Sequence, residues 1–188
     1  MGYSKYVAKA FQEEYAKRSD LLKARLAEWR AQAPIVRVLQ PTNVVRARRL
    51  GYRAKQGVIV VRVRVRRGLS KRQKPMGGRK PSKMGRFYAY RKSLQAIAEE
   101  RAAAKYSNAE VLNSYFVGED GNNKFYEVML LDRAHPAIVS DPIYREIVKS
   151  KGRAQRGLSS AGKRHRGLNK KGRGSFKSRP SVRARERL

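Results

Sequence analysis

The stretch Gly57-Val58-Ile59-Val60-Val61-Arg62-Val63-Arg64-Val65-Arg66 decides the fold. From Ile59 onward Val61, Val63 and Val65 share one side of a period-two pattern, and Arg62, Arg64 and Arg66 share the other, as in a β-strand with one face in a core. Alternate side chains on a strand stand about 6.6 Å apart, so the arginines form a ladder of guanidiniums, each able to hold a phosphate bidentately. Three further strands accompany it. Residues 35–39 form a short strand closed by Pro41, and residues 110–117 and 124–131 flank the turn-forming run Gly118-Glu119-Asp120-Gly121-Asn122-Asn123 as a hairpin. Phe125 to Leu131 is apolar except at Glu127, which predicts a strand covered on both faces.

Helical patterns supply the covers. Residues 4–18, with Ser4 as cap, place Val7, Phe11 and Tyr15 on one face. Ser19 or Asp20 caps a second helix whose stripe is Leu22, Leu26 and Trp29, and Pro34 ends it. Thr42 caps a short helix through Leu50. Ser93 opens a helix to Tyr106, with Leu94, Ile97 and Ala98 inward and Glu99, Glu100, Arg101 and Lys105 outward. The expected architecture is α+β, a mostly antiparallel four-stranded sheet between helices on both faces, in three layers.

Charge sets the function class. From Arg30 to Ala98 there is no acid and there are twenty lysines and arginines; Ile147 to Arg185 again lacks acids and holds fourteen basic residues. A net charge of +32 on 188 residues calls for a polyanion, and nucleic acid supplies it by counterion release. Beyond Val148 the large apolar residues are only Leu158, Leu168, Phe176, Val182 and Leu188, too few for a core. The expected organisation is a body, 1–148, carrying a basic loop, 67–92, and a basic extended tail, 149–188. Loop and tail are expected to order on binding. There is no cysteine; Lys5 and Lys9 are followed by Phe11, Gln12 and Glu13 with no apolar run, so no signal peptide is expected, and the longest aliphatic run, Val58 to Val61, is far below membrane-spanning length. A soluble, cytoplasmic protein without a membrane partner is expected.

Catalytic chemistry is missing from the pattern. Gly157-Leu158-Ser159-Ser160-Ala161-Gly162-Lys163 begins like a P-loop, but Arg164 stands where a magnesium-binding hydroxyl is required. Backbone contact of these glycines with RNA phosphates is the better reading. His135 precedes Pro136 at a turn and His165 lies in a basic run, neither with a metal-ligand partner at suitable spacing. Glu119 and Asp120 belong to the hairpin turn. No enzyme, metal site, cofactor or small-molecule substrate is expected.

The acid-free windows nominate the RNA-contacting residues: Arg46, Arg48, Arg49, Tyr52, Arg53 and Lys55 before the decisive strand; Arg62, Arg64, Arg66 and Arg67 on and after it; Lys71, Arg72, Lys74, Arg79, Lys80, Lys83 and Arg86 in the loop; and Arg153, Arg156, Lys163, Arg164, Arg166, Lys170, Lys171, Arg173, Lys177 and Arg179 in the tail. Tyr52, Phe87, Tyr88, Tyr90 and Phe176 are aromatics in basic settings, placed either to stack on unpaired bases or to pack locally.

Gly51-Tyr52-Arg53-Ala54-Lys55-Gln56-Gly57, running into the arginine ladder and Arg66-Arg67-Gly68, resembles large-subunit ribosomal protein fifteen of the eukaryotic type, a family shared by archaea and eukaryotes. Further blocks agree in order: Ala98-Glu99-Glu100-Arg101-Ala102, then Val111-Leu112-Asn113-Ser114-Tyr115 through to His135-Pro136-Ala137-Ile138, then Arg156-Gly157-Leu158-Ser159-Ser160-Ala161-Gly162. The tail after Lys170 is similar to the archaeal branch. The resemblance implies a structural protein of the large ribosomal subunit that binds its ribosomal RNA beside neighbouring ribosomal proteins, and a sheet of strand order 1-2-4-3. A departing assembly factor and a DNA-compacting chromatin protein are the rival readings.

Overall fold

The computed structural model describes residues 2–89 and 92–169. Two helices open the chain, α1 (Tyr3–Lys17) and α2 (Asp20–Ala31), followed by β1 (Ile35–Val38), α3 (Val44–Arg49) and β2 (Val58–Arg66). A two-stranded ribbon, β3 (Ser70–Lys71) with β4 (Phe87–Tyr88), comes next, then α4 (Leu94–Lys105) and the long hairpin β5 (Ala109–Glu119) and β6 (Asn123–Asp132). Helices α5 (Pro136–Val139), α6 (Pro142–Lys149) and α7 (Ser160–His165) complete the described chain.

The main sheet is antiparallel throughout, in the order β1-β2-β6-β5. Its labels skip from β2 to β5 because the small ribbon, read from sequence only as basic loop, lies between them in the chain. β2 and β6 are central, and β6 is buried from Phe125 through Leu131, as its apolar run requires.

On one face Val61 pairs with Val128 and Val63 with Tyr126, and Ala98 and Ala102 of α4 lie against them without solvent exposure. The small side chains bring that helix close to the sheet. On the other face Trp29 of α2 meets Phe125, ring centroids 5.4 Å apart. Ala47 of α3 packs on Met129 and Tyr115, and Ile138, Tyr144 and Val148 of α5 and α6 cover Leu131. Gly57 turns the chain into β2 with φ +83°, and a Cβ there would come within 2.6 Å of the Ile138 side chain. Glycine is required on both counts.

Two bulges in β5, near Leu112 and Val117, reset which face each residue serves. Ser114 then points to the α4 face and Tyr115 to the opposite one, each toward a buried carboxylate. Glu127 accepts the Thr42 N–H at 2.9 Å and the hydroxyls of Thr42 and Tyr115. With Thr42 so engaged, Asn43 caps α3 in its place, accepting the Arg46 N–H at 2.8 Å. Gly2, not Ser4, stands at the start of α1, while Ser19 and Ser93 cap as expected.

Two further expectations need correction. Glu99, assigned outward, is fully buried, because a segment beyond α6 covers the side of α4 that would otherwise face water. That segment is the first part of the expected extended tail, and residues 150–169 fold back onto the body. Ala154 joins the core beneath α4; Gly152 and Arg153 donate their N–H groups to buried Glu110 at 2.7 and 3.3 Å; the Ser159 hydroxyl donates to Glu99. The segment has few large apolar residues because it completes the core of the body instead of building its own. Lys170 to Leu188 lie outside the described residues.

Candidate nucleic-acid interface

Helix α3 is short and two-sided. Val45 and Ala47 are buried, and Arg46, Arg48 and Arg49 project outward, so the alternation that anchors the helix also fans three guanidiniums into solvent. Beyond it the chain turns at Gly51 and Tyr52 packs half-buried on the Ala47–Tyr115–Met129 cluster. For Tyr52, packing is therefore the role the structure supplies. Asp141, the N-cap of α6, holds Lys55 at 3.1 Å and exposed Arg53 at 3.5 Å. The Ile143 N–H, followed by Lys55, keeps the Asp141 carboxyl below the ordinary aspartate range.

The arginine ladder is not evenly presented. Arg62 is buried: its guanidinium lies 4.5 Å from the Trp29 ring centroid and donates to Gln32 Oε1 at 2.7 Å. Burial lowers its pKa, and Glu127, opposite it on β6, works against that shift. Arg64 is half-buried and donates to the Arg30 carbonyl, whereas Arg66 is exposed. The cause is the three-layer architecture itself, since α2 covers the face on which the ladder stands. Arg67, exposed at the strand end, donates to the Asp120 carbonyl at 3.1 Å.

The ribbon carries the densest positive surface. Lys71, Arg72, Lys74, Arg79, Lys80, Lys83 and Arg86 are all exposed. Arg72 stacks over Tyr88 at 4.2 Å, and these two with Lys71, Arg79 and Lys83 line an open concavity of about 650 Å³. Phe87 is exposed beside them, while Tyr90 lies outside the described residues.

At the C-terminal end the expected contacts divide. Lys163 and Arg164 on α7 are exposed. Arg153 points inward, its Nη1 donating to the Val111 carbonyl at 2.6 Å, and burial lowers its pKa. Arg156 is exposed but tied to Ser150 Oγ and the Lys151 carbonyl at 2.9 and 2.7 Å, and half-buried Arg166 donates to the Gly157 carbonyl at 3.2 Å. Lys170, Lys171, Arg173, Phe176, Lys177 and Arg179 lie outside the described residues. The glycines of the P-loop-like run face each other: a Cβ on Gly162 would stand 2.7 Å from Gly157 Cα. The N-terminus of α7 is capped by buried Ser159, itself bonded to Glu99, so this backbone packs inward and is not open to a phosphate. Sequence reading overlooked Glu99, Glu110 and Glu127 as anchors of this arrangement.

Along the chain, the profile of the family described as Ribosomal L15, of the L15e type, matches residues 2–185. The chain belongs to that family. Its relatives include the "Large ribosomal subunit protein eL15" of Picrophilus torridus, 54% identical over 178 residues that cover 92% of this chain and 91% of the relative. The protein of the same name from Methanospirillum hungatei is 53% identical over 167 residues, 87% of this chain and 85% of the relative. Both organisms are archaea, in keeping with the archaeal character of the sequence. The family match spans both acid-free windows, so the exposed arginines of α3, the ribbon and the returning segment all fall within it. Among the described residues no helix is long and apolar enough to cross a membrane.

Proposed function

We propose that this chain is a structural constituent of the large ribosomal subunit, acting in translation by binding and stabilising ribosomal RNA beside neighbouring ribosomal proteins, with no catalytic role. The family membership carries this reading, and the distribution of exposed charge supports it. Arg46, Arg48 and Arg49, Arg66 and Arg67, the ribbon residues from Lys71 to Arg86, and Lys163 and Arg164 form the RNA-facing set. Arg62, Arg153 and Arg166 hold the fold that presents them. Recognition rests on phosphate, 2′-hydroxyl and shape, because the deep groove of RNA helices is closed to side-chain readout. Lys170 to Arg179 extend the same chemistry along the C-terminal segment.

The deciding experiment is mass spectrometry of mature large subunits after high-salt washing of ribosomes from cells that make the protein. Recovery at one copy per subunit is the expected result. Recovery only from precursor particles would make the protein an assembly factor.

A further inference from the structure

Helix α1 contains no buried residue, although it carries an aromatic stripe. It meets the sheet at Tyr15, whose ring sits edge-on to exposed Phe116 with centroids 5.7 Å apart. Between α1, α3 and β5 this loose contact leaves an open cleft of about 470 Å³. Phe11, Tyr15 and Phe116 line it, the Tyr15 and Phe116 rings at 85° to each other so that a planar group resting on one meets the other edge-on, and Arg46, Arg49 and Asn43 stand on its α3 side. No acidic residue lines it, and neither guanidinium has a carboxylate partner among the described residues. Asn43 Oδ1 is occupied by the Arg46 N–H, which leaves its amide NH₂ as a donor.

Aromatic walls, an amide donor and two unpaired cations together match one chemistry. A nucleobase presents a flat π-face and polar edges, and its own phosphates lie within a few ångströms of the ring, where the arginines stand. An apolar protein side chain would fill the walls but would desolvate two guanidiniums with no anion to meet them. We infer that the cleft between α1, α3 and β5 receives a single unpaired RNA nucleotide, its base against Phe11, Tyr15 and Phe116 and its phosphates on Arg46 and Arg49. This rests on the RNA-binding reading above and adds to it a site that acts on the base as well as on the backbone.

The test uses the full chain and two RNA hairpins at one salt concentration, the first with a single bulged adenosine, the second identical but abasic at the bulge. Phosphate charge is equal in both. The wild-type protein is expected to bind the first about tenfold more tightly, the size of one base–aromatic stacking contact. Ala8→Trp fills the cleft, in whose wall Ala8 stands, and Phe11→Leu removes a flat ring at similar volume. Each variant, checked for folding by circular dichroism, should bring the ratio of the two affinities close to one. Equal binding of the two hairpins by the wild type, or an unchanged ratio in both folded variants, overturns the inference and leaves the cleft to an apolar protein side chain. Binding of neither hairpin would instead strike the RNA reading itself.

Discussion

Glu127 and Glu99 are both fully buried, yet they are held differently. Glu127 accepts from a backbone N–H and two hydroxyls and faces Arg62 on the neighbouring strand. Glu99 has the hydroxyls of Ser114 and Ser159, with Arg153 nearby, and burial outweighs them, so its pKa is raised. A raised folded-state value means that the native protein holds this proton more tightly than the unfolded chain. The stabilisation is therefore complete below the ordinary glutamate range and is lost as pH climbs from there through the raised value. Glu99→Gln removes that loss. Its melting temperature, measured against wild type, is expected to improve steadily as pH rises across the interval, and parallel melting curves for the two proteins would contradict the assignment. Arg62 belongs with these buried polar groups. Arg62→Gln breaks its contacts with Trp29 and Gln32 and is expected to cost about 1–3 kcal/mol in urea unfolding. Arg66→Gln, on the exposed end of the same strand, should stay within about 0.5 kcal/mol.

Among the elements, the segment after α6 has the largest consequence. It supplies donors to Glu99 and Glu110 and places Ala154 in the core, so the body is incomplete without it. Truncation after Lys149 is expected to lower stability by on the order of 3 kcal/mol, since two buried carboxylates lose hydrogen bonds. The reference for this loss is the chain that ends at Asn169, which keeps the whole returning segment. Equal midpoints for both truncations would return residues 150–169 to the status of a free tail. The sheet was legible because period-two patterning and turn residues are local signals. Ser19 and Ser93 were legible as caps for the same reason. The fold-back was not, because glycine, alanine and serine bury without raising hydropathy and their partners stand 42 to 60 residues earlier in the chain. Glu99 was misplaced by the same omission: a helix position is outward only if nothing arrives later to cover it. The arginine ladder shows the converse error. Helices on both faces of the sheet imply that α2 covers part of it, whereas a charge pattern carries no information about what packs over it.

At the scale of the whole molecule, the ion pairs among the described residues fall on α1, α2, α4, α6 and the β5–β6 turn and leave α3, the ribbon and α7 without any. Buried carboxylates hold the returning segment and the α3 turn in place, while arginines and lysines without acidic neighbours cover α3, the ribbon and α7. The N-terminal aromatic stripe, legible as an apolar helix face, finds no full cover in the described structure and lines the cleft beside Arg46 and Arg49. In the proposed function this exposed charge neutralises RNA phosphates. Binding of the full chain to large-subunit ribosomal RNA fragments, measured across a range of salt concentrations, tests it most directly. With ten phosphates neutralised, the log–log slope is expected to be on the order of −7 to −9, and Arg46→Gln, Arg48→Gln and Arg49→Gln together should flatten it by about 2 to 3. A slope near zero, or a triple variant that keeps the full slope, would contradict the account.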